Sequence, residues 1–275
     1  MTIPGPQITS QSNPRVRAAV ALRDRRERDA SRLTIVDGAR EVRRALEAGV
    51  DATEAFICEP LLGGEDARVA LDLIAARGIP VTSVSETVLA KLAFGGRSEG
   101  IVLVVRVPMC ALTDLDLGPD PLILVIEGVE KPGNIGAVLR TADGAGVSAV
   151  IAASPRTDLF NPNAIRASAG TIFAMPVTSA PSPDVLAWLR EHGIRIVTAR
   201  VGAATGYTDA DLTGSLAIVL GAEADGLTDT WSGPDVEPVG IAMAGVADSL
   251  NVSISAAILA YEARRQRHHF PGGQA

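Results

Sequence analysis

Apolar and polar positions alternate in regular blocks along the first 107 residues of the chain. Short apolar runs bounded by Gly, Pro or Asp predict β-strands at 33–36, 52–58, 79–84 and 100–107. Between these runs, apolar residues recur three and four positions apart, which predicts helices at 14–30, 39–48, 66–78 and 85–93. Strands that alternate with helices are typical of βαβ units, so the pattern predicts an α/β domain with a largely parallel sheet.

A second α/β run follows a break in this pattern. Residues 108–120 are rich in Pro and Asp and show little periodicity, which favours a domain linker. After the break, the pattern predicts strands at 122–129, 147–153, 194–201, 215–221 and 236–244, and helices at 134–146, 161–170, 183–193 and 252–265. We therefore expect two domains, 1–107 and 121–275, joined by 108–120.

The composition excludes several classes of protein. Hydrophobic residues make up 47% of the 275 residues, which is enough for a sizeable core and far from a disordered chain. No apolar run approaches the roughly 18 residues of a membrane span, and the N-terminus lacks the charged and apolar regions of a secretory signal. Cys58 and Cys110 form no CxxC pair. We expect a cytoplasmic protein without a structural metal site or a disulfide framework.

Charge is distributed unevenly along the chain. Residues 1–50 hold ten arginines against six acidic residues, a local net charge of +4, although the whole chain carries −7 and the remainder therefore −11. This asymmetry is typical of a basic arm on an acidic body. A solvated helix with alternating charges is an equally good reading of the composition alone.

The stretch EKPGNIGAVLRTADGAG, residues 130–146, follows a predicted strand and opens a predicted helix. Asn134 is a candidate N-cap. Arg140 falls on the face opposite the apolar stripe, where an arginine near a Gly-rich helix start is suited to binding phosphate. By itself the motif fits a surface arginine and a closely packed helix better. It is not a GxGxxG fingerprint, which argues against a dinucleotide site.

The stretch LAIVLGAEADGL, residues 216–227, is a buried strand that ends at Gly221. Ligands of open α/β sheets bind outside the carboxyl ends of the strands. Gly221 would let the backbone approach a ligand, and Glu223 would lie at the rim. An ordinary turn with a solvated carboxylate explains the same residues.

The stretch ADSLNVSISAAILAYEARR, residues 247–265, opens with three polar side chains before an apolar helix. Asp248 or Ser249 is the natural N-cap, and Asn251 then stands one position inside the apolar run. As a second cap, Asn251 would have a structural role only. That interpretation explains one polar residue but not all three.

Taken in order, these three motifs resemble those of the SpoU/TrmH family of RNA ribose 2′-O-methyltransferases, which belong to the SPOUT superfamily. The resemblance covers residues from about 121 to 264. QITSQSNPRVRAAVALRDRRERDASRLTIVDGAREVRRALEAG and LAKLAFGGRSEGIVLVVR resemble the beginning and the end of an RNA substrate-binding domain similar to ribosomal protein L30e. One departure is IAM at 241–243, where family members often have IPM; it removes a fixed backbone angle from this loop.

The resemblance implies a C-terminal SPOUT domain with a trefoil knot, an N-terminal L30e-like domain and a homodimer. It implies S-adenosylmethionine as the cofactor, no metal, and RNA as the substrate. The implied catalytic residues are Arg140, Asn134, Glu223 and Asn251. The implied cofactor-binding residues are Thr198, Ala199, Leu220, Gly221, Ile241, Met243, Ser249 and Leu250. In this reading Leu250 packs on the adenine and Asn251 points into the reaction site.

The basic arm and the N-terminal domain would select the RNA. Candidate RNA contacts are Arg15, Arg17, Arg23, Arg25, Arg26, Arg28, Arg97 and Ser168. Phe56 and Phe94 are candidates for base stacking. Ribosomal RNA is favoured because of the N-terminal domain, and both housekeeping and antibiotic-resistance members, including the avilamycin type, fit the pattern. The alternatives are a transfer-RNA methyltransferase, a non-catalytic RNA-binding protein and a nucleotide-dependent oxidoreductase.

Overall fold

The structure is a computed structural model that describes residues 6–93, 99–223 and 225–267. The chain forms two compact units. Unit 1 comprises Met1–Pro108 and Asp158–Ala174, and unit 2 comprises Met109–Thr157 and Met175–Ala275. Of the helices that the structure describes, none is long and apolar enough to cross a lipid bilayer.

Eleven strands and nine α-helices are present in the described part of the chain. The strands are β1 Leu33–Asp37, β2 Ala52–Ile57, β3 Val81–Ser83, β4 Ile101–Arg106, β5 Leu122–Glu127, β6 Ala149–Ala153, β7 Val177–Ala180, β8 Arg195–Ala199, β9 Thr205–Gly206, β10 Leu216–Leu220 and β11 Val236–Gly240. The helices are α1 Pro14–Ala21, α2 Arg25–Ser31, α3 Ala39–Glu47, α4 Gly64–Ala76, α5 Glu86–Leu92, α6 Pro132–Ala145, α7 Pro162–Ala167, α8 Ser182–Glu191 and α9 Val252–Arg267.

The four-stranded sheet of unit 1 has the order β1-β4-β2-β3. Only β2 and β3 are parallel, and β4 is antiparallel to both of its neighbours. The prediction of a largely parallel sheet is therefore wrong for this unit. The alternation of strands and helices predicts the common direction of β1, β2 and β3 correctly, because both β1 and β2 oppose β4. It could not predict that the last strand inserts between them in the opposite sense.

The predicted helix at 14–30 is also wrong, because it is two helices. The α1 helix ends at Ala21, and the Asp24 side chain accepts a hydrogen bond from the Arg26 backbone N–H at 2.8 Å to start α2. A short acidic side chain at this position satisfies a backbone donor that a continuous helix would use itself. The amphipathic pattern runs through the break, because Val16, Ala19 and Leu22 face the same core.

The seven-stranded sheet of unit 2 is parallel throughout, with the order β7-β6-β5-β10-β8-β11-β9. This agrees with the expected parallel α/β architecture. The short edge strands β7 and β9 were not predicted from the sequence. Because all seven strands share one direction, the residues that follow β5, β8, β10 and β11 lie along one edge of the sheet.

The predicted linker, residues 108–120, contains a short 3-10 helix at Leu112–Asp114. Its leucines, Leu112, Leu115 and Leu117, pack against the buried core of unit 2. The Thr178 hydroxyl on β7 donates a hydrogen bond to the Cys110 carbonyl at 2.6 Å. The segment is thus attached to unit 2 along its length.

Candidate active site

The carboxyl ends of β8, β10 and β11 bring most of the predicted cofactor-binding residues to one edge. β8 pairs with both β10 and β11, so that Ala199, Leu220 and Gly240 end neighbouring strands. Ile241 and Met243 follow directly in the loop after β11 and are half-buried. Thr198 is fully buried in β8, so its side chain has a structural role there.

Gly221 is required by the chain itself. A Cβ at this position would lie 2.2 Å from the carbonyl carbon of Gly226 and 2.5 Å from the Leu227 nitrogen. The two segments meet because the Gly226 backbone N–H donates to the Ala222 carbonyl at 2.9 Å, which closes a tight turn. The sequence suggested close approach of a ligand, whereas here the approaching group is the backbone of residues 226–227.

Glu223 stands inside this turn and gathers three polar side chains. Its Oε1 accepts hydrogen bonds from Asn134 Nδ2 at 2.9 Å and from Asn251 Nδ2 at 2.5 Å. Its Oε2 lies 2.5 Å from Lys131 Nζ. Asn251 Nδ2 also lies 3.3 Å from Asn134 Oδ1. The three predicted residues Asn134, Glu223 and Asn251, drawn from three separate motifs, therefore meet in one cluster.

Asn251 has two roles at once, which answers the question raised by its position. Its Oδ1 accepts from the Ser253 backbone N–H at 2.8 Å and from the Ser253 hydroxyl at 2.6 Å, so Asn251 is the N-cap of α9. Its Nδ2 faces Glu223. The predicted caps Asp248 and Ser249 are wrong, because the helix begins at Val252 and leaves both of them exposed in the preceding loop.

Asn134 does not cap α6 as predicted. The helix begins at Pro132, and the Lys131 carbonyl accepts from the Asn134 backbone N–H at 3.0 Å. Proline is favoured at this first helical position, since it lacks the N–H that the helix would leave unpaired. Asn134 thereby stands in the first turn, and its side chain is available to bond Glu223.

Lys131 was not predicted, and it favours the ionised form of Glu223. The hydrogen bond from Lys131 is the largest influence that lowers the pKa of Glu223, followed by the hydrogen bond from Asn134. The same contact raises the pKa of Lys131. Glu223 is therefore a carboxylate that accepts hydrogen bonds, and it stays ionised to a lower pH than an isolated glutamate.

Lys131→Met should raise the pKa of Glu223, because the ammonium that favours the ionised form is gone. Protonation then begins at higher pH, and the two amides lose their common acceptor. The measurement is a pH titration of the Glu223 side-chain carboxyl carbon by ¹³C NMR, with Lys91→Met as the control because Lys91 lies on α5 in unit 1. An unchanged midpoint in the Lys131 variant would contradict the assignment.

A second ionic link joins the same two loops. The Arg156 guanidinium pairs with Glu130 and lies 2.8 Å from Asp225 Oδ2. Glu130 precedes α6 and Asp225 belongs to the turn that holds Glu223. Because these groups are half-exposed, their ion pairs add little to the free energy of unfolding. Their main effect is to connect the two loops.

Glu127 is a cleft residue that the sequence did not single out. It ends β5, is only 4% exposed and accepts hydrogen bonds from Ser182 and Thr228. A cleft of about 230 Å³ is lined by Ile126, Glu127, Val129, Glu130, Lys131, Asn134, Gly221, Ala222, Glu223 and Val252. In the sequence, Glu127 is marked only by being a carboxylate at the end of an otherwise apolar strand.

Arg140 is the predicted catalytic residue that the structure does not bring to the cluster. It follows Asn134 by six positions on α6, about 9 Å further along the helix and about 120° around it. It is exposed, and its side chain makes no hydrogen bond or ion pair with any residue that the structure describes. It is not among the residues that line the cleft.

Several predicted RNA contacts in unit 1 are accessible. Arg17, Arg25 and Arg26 are exposed. Arg15 pairs with Glu54 at 2.5 Å, and its side chain is 53% exposed. Arg23 is half-buried and donates to two backbone carbonyls at the end of α5.

Three other predicted contacts are buried. Arg28 is 3% exposed and pairs with Asp158 at 2.5 Å, so its guanidinium holds unit 1 together. The hydroxyl of Ser168 is buried and donates to the Ile165 carbonyl at 2.7 Å. Phe56 is fully buried in the core. In this structure none of the three can touch RNA through its side chain, which corrects those predictions; Phe94 and Arg97 lie outside the described residues.

Comparison with known proteins finds a matching family model for each of two parts of the chain. Residues 121–261 match the model of the SpoU rRNA Methylase family, and residues 13–102 match an MRM3-like substrate binding domain. A Vibrio vulnificus protein named 23S rRNA (guanosine-2′-O-)-methyltransferase RlmB is 34% identical over 223 residues, which cover 78% of this chain and 89% of that protein.

Two solved structures are similar along nearly the whole chain. A crystal structure of an RNA 2′-O ribose methyltransferase superimposes with a TM-score of 0.84 at 41% identity, covering 95% of this chain and 99% of the other. An AdoMet-bound rRNA methyltransferase from Sinorhizobium meliloti has a TM-score of 0.85 at 28% identity, covering 94% and 97%.

Proposed function

The chain belongs to the SpoU rRNA methylase family, and from this premise we propose that it is an S-adenosylmethionine-dependent 2′-O-methyltransferase of 23S ribosomal RNA. The observation that carries the proposal is the cluster around Glu223. Three motifs separated along the chain meet there at the carboxyl edge of a parallel sheet, where such sheets bind ligands. The names of the relatives support ribosomal RNA as the substrate.

The strand ends fit the proposed cofactor. Leu220, Gly221, Ile241, Met243 and Leu250 would hold the adenosyl group through backbone groups, with Ser249, Thr198 and Ala199 beside them. When bound, the cofactor supplies a methyl group on an electrophilic sulfonium. Gly221 belongs both to this set and to the lining of the cleft, where the buried carboxylate of Glu127 is compatible with a positively charged ligand.

Each polar residue has a defined task in methyl transfer. The lowered pKa of Glu223 makes it a weak base, so it orients Asn134 and Asn251 rather than taking a proton. An arginine guanidinium offers hydrogen-bond donors and no acceptor, so Arg140 does not serve as the base. We assign Arg140 to the phosphate next to the target ribose, where its charge stabilises the negative charge developing on the 2′ oxygen as the hydroxyl proton passes to solvent water.

A homodimer would bring Arg140 to the cluster of the other subunit. On α6, Gly133, Ala137, Arg140 and Gly144 follow each other at helical spacing on one face. The Tyr261 hydroxyl of α9 lies beside Gly144, since a Cβ there would approach it to 2.8 Å. This small-residue face, continuous with apolar side chains on α9, supports a second copy of the chain as its partner.

Ile254→Asp should convert the dimer to a monomer. Ile254 and Tyr261 are 50% and 51% exposed on α9, and a carboxylate there would be buried without a partner on association. Light scattering would then report the mass of one chain, 28.4 kDa, in place of twice that mass. Met109→Asp, at another exposed apolar position, should leave the dimer intact. A wild-type monomer would refute the proposed assembly.

The remaining assignments follow from the same family membership. We propose residues 1–107 as the RNA substrate-binding domain, 108–120 as its connection and 121–275 as the methyltransferase domain with a C-terminal trefoil knot. Residues 158–174, within the last of these ranges, are the segment that belongs to compact unit 1. Arg15, Arg17, Arg23, Arg25 and Arg26 are the candidates for phosphate contacts, which would make RNA binding weaken steeply with salt. Ribosomal RNA as the substrate supports a cytoplasmic location.

The proposal is tested by mapping 2′-O-methylation. Purified protein is incubated with S-adenosylmethionine and either 23S ribosomal RNA or total transfer RNA, and methylated positions are read by their resistance to alkaline cleavage. One new resistant position in the ribosomal RNA is expected, and its identity decides between a housekeeping and a resistance role. Modification of transfer RNA alone would favour a transfer-RNA methyltransferase instead. Cofactor binding without methylation of either RNA would indicate a non-catalytic RNA-binding protein.

A further inference from the structure

Glu127 is a buried carboxylate in the wall of the cleft. It is 4% exposed, and its neighbours Ile126 and Val129 on the same wall are apolar. Placing a negative charge in such surroundings is costly unless the charge is compensated. The groups around Glu127 therefore indicate what the cleft is built to hold.

The partners of Glu127 are all neutral. Its Oε1 accepts hydrogen bonds from the Ser182 hydroxyl at 2.7 Å and from the Thr228 hydroxyl at 2.9 Å, and its Oε2 accepts from the Thr228 backbone N–H at 2.8 Å. Ser182 opens α8, so the helix adds a partial positive charge. No cation within the described ranges forms an ion pair with Glu127. Its hydrogen bonds are satisfied, but its full charge is not balanced.

The other charged groups of the cleft are balanced. Glu223 is paired with Lys131, and Glu130 is paired with Arg156. Glu127 differs because it is both buried and without a counter-ion among the described residues. A low-dielectric wall that carries one uncompensated negative charge favours a cationic ligand in the space beside it.

We propose that Glu127 makes the cleft discriminate between the cationic methyl donor and its neutral product. This inference rests on the proposed function. S-adenosylmethionine carries a sulfonium, whereas S-adenosylhomocysteine carries an uncharged thioether after the C–S bond to the methyl group has broken. Attraction by Glu127 is present before transfer and absent at that sulfur afterwards, so the residue favours exchange of product for fresh donor.

The Glu127→Gln substitution isolates the charge. The Gln oxygen can accept from the Thr228 backbone N–H, and the Gln amide can donate to the hydroxyls of Ser182 and Thr228, because a hydroxyl can also accept. All three hydrogen bonds are thus kept while the negative charge is removed. Thr228→Val is the matched control, since it removes one hydrogen bond to Glu127 and keeps the charge.

The experiment is calorimetric titration of the ligand-free full-length protein with three probes. These are S-adenosylmethionine, S-adenosylhomocysteine and sinefungin, in which an ammonium-bearing carbon replaces the sulfonium. Wild type should bind the two cationic probes about tenfold more tightly than S-adenosylhomocysteine, the effect of one partly screened unit charge. Glu127→Gln should bring all three dissociation constants within about twofold of one another, with the value for S-adenosylhomocysteine unchanged.

The outcomes separate this inference from the function on which it rests. Equal binding of the three probes by wild type overturns the role of Glu127 and leaves the methyltransferase proposal standing, whatever the variants do. An equal loss for all three probes in Glu127→Gln shows that the residue only supports the fold, and it too overturns the proposal. If Thr228→Val also loses the preference for the cationic probes, the preference depends on the loop that carries Thr228 and not on the charge of Glu127, which overturns the proposal. Absence of binding by wild type defeats the proposed function itself.

Discussion

Arg140→Ala should lower the rate of RNA methylation by on the order of 10²–10³-fold, which is the loss typical of removing one preorganised charge from a transition state. Binding of S-adenosylmethionine should stay within about twofold of wild type. Arg140 is exposed on α6 and its side chain makes no hydrogen bond or ion pair within the described part of the chain, so its removal should not disturb the fold. The measurements are single-turnover methylation of 23S ribosomal RNA and calorimetric cofactor binding. Arg140→Lys keeps the positive charge but loses the planar guanidinium that can donate two parallel hydrogen bonds to a phosphate. It should therefore recover only part of the rate lost in Arg140→Ala.

Mixing two inactive variants tests whether Arg140 acts across the proposed dimer. In a mixed dimer of Arg140→Ala and Glu223→Ala, one site combines an intact Glu223 with the intact Arg140 of the other subunit. Activity should therefore return on mixing, up to about half of wild type per mixed dimer. If each arginine serves its own subunit, both sites lack one residue and no activity returns. Full turnover by Arg140→Ala alone would end the catalytic assignment.

The three motifs predict that Asn134, Glu223 and Asn251 lie close together, because each motif places a polar residue at the end of an element. In a parallel sheet the strand ends share one edge, so Glu223 after β10 and Asn134 at the start of α6 come together without any knowledge of the loops. The position of Asn251 one residue inside the apolar run carries the same information. Its cap and its contact with Glu223 use different atoms of one amide.

Other features depend on contacts that local patterns do not encode. β4 lies antiparallel between β1 and β2, and a period-two pattern carries no information about strand direction. Glu127 reads as the polar end of a strand, and only the fold brings Thr228 and Ser182 to it. Arg28 and Ser168 read as candidate RNA contacts, yet residues 158–174 belong to unit 1 and bury them there.

Gly221→Ala should have the second large effect, on stability and activity together. The added Cβ would meet the backbone of Gly226 and Leu227 at 2.2–2.5 Å, and backbone cannot move aside as the end of a flexible side chain can. Opening the turn breaks the Ala222–Gly226 hydrogen bond. We expect a loss of about 1–3 kcal/mol in unfolding free energy, measured by denaturant titration. Methylation should fall by at least about 100-fold, because a shift of about 1 Å in a positioning group has that effect.

The control separates a local clash from a general cost of adding a methyl group. At Gly63 an added Cβ meets nothing within 4 Å, and the backbone is extended with φ −164°, so Gly63→Ala should change neither stability nor rate. Normal methylation by Gly221→Ala would show that the tight turn is dispensable. Loss of stability with normal methylation would give Gly221 a role in folding alone.

A double variant decides whether Gly221 acts through Glu223. If the turn matters for catalysis because it carries Glu223 to Asn134 and Asn251, then adding Gly221→Ala to Glu223→Ala should cost almost no further activity. Residues that act as a unit are strongly non-additive, whereas independent sites add. The stability loss of Gly221→Ala should persist in the double variant, because the clash with residues 226–227 does not involve the Glu223 side chain. Additive losses in rate would mean that the turn serves the cofactor directly, through the backbone of Leu220 and Gly221.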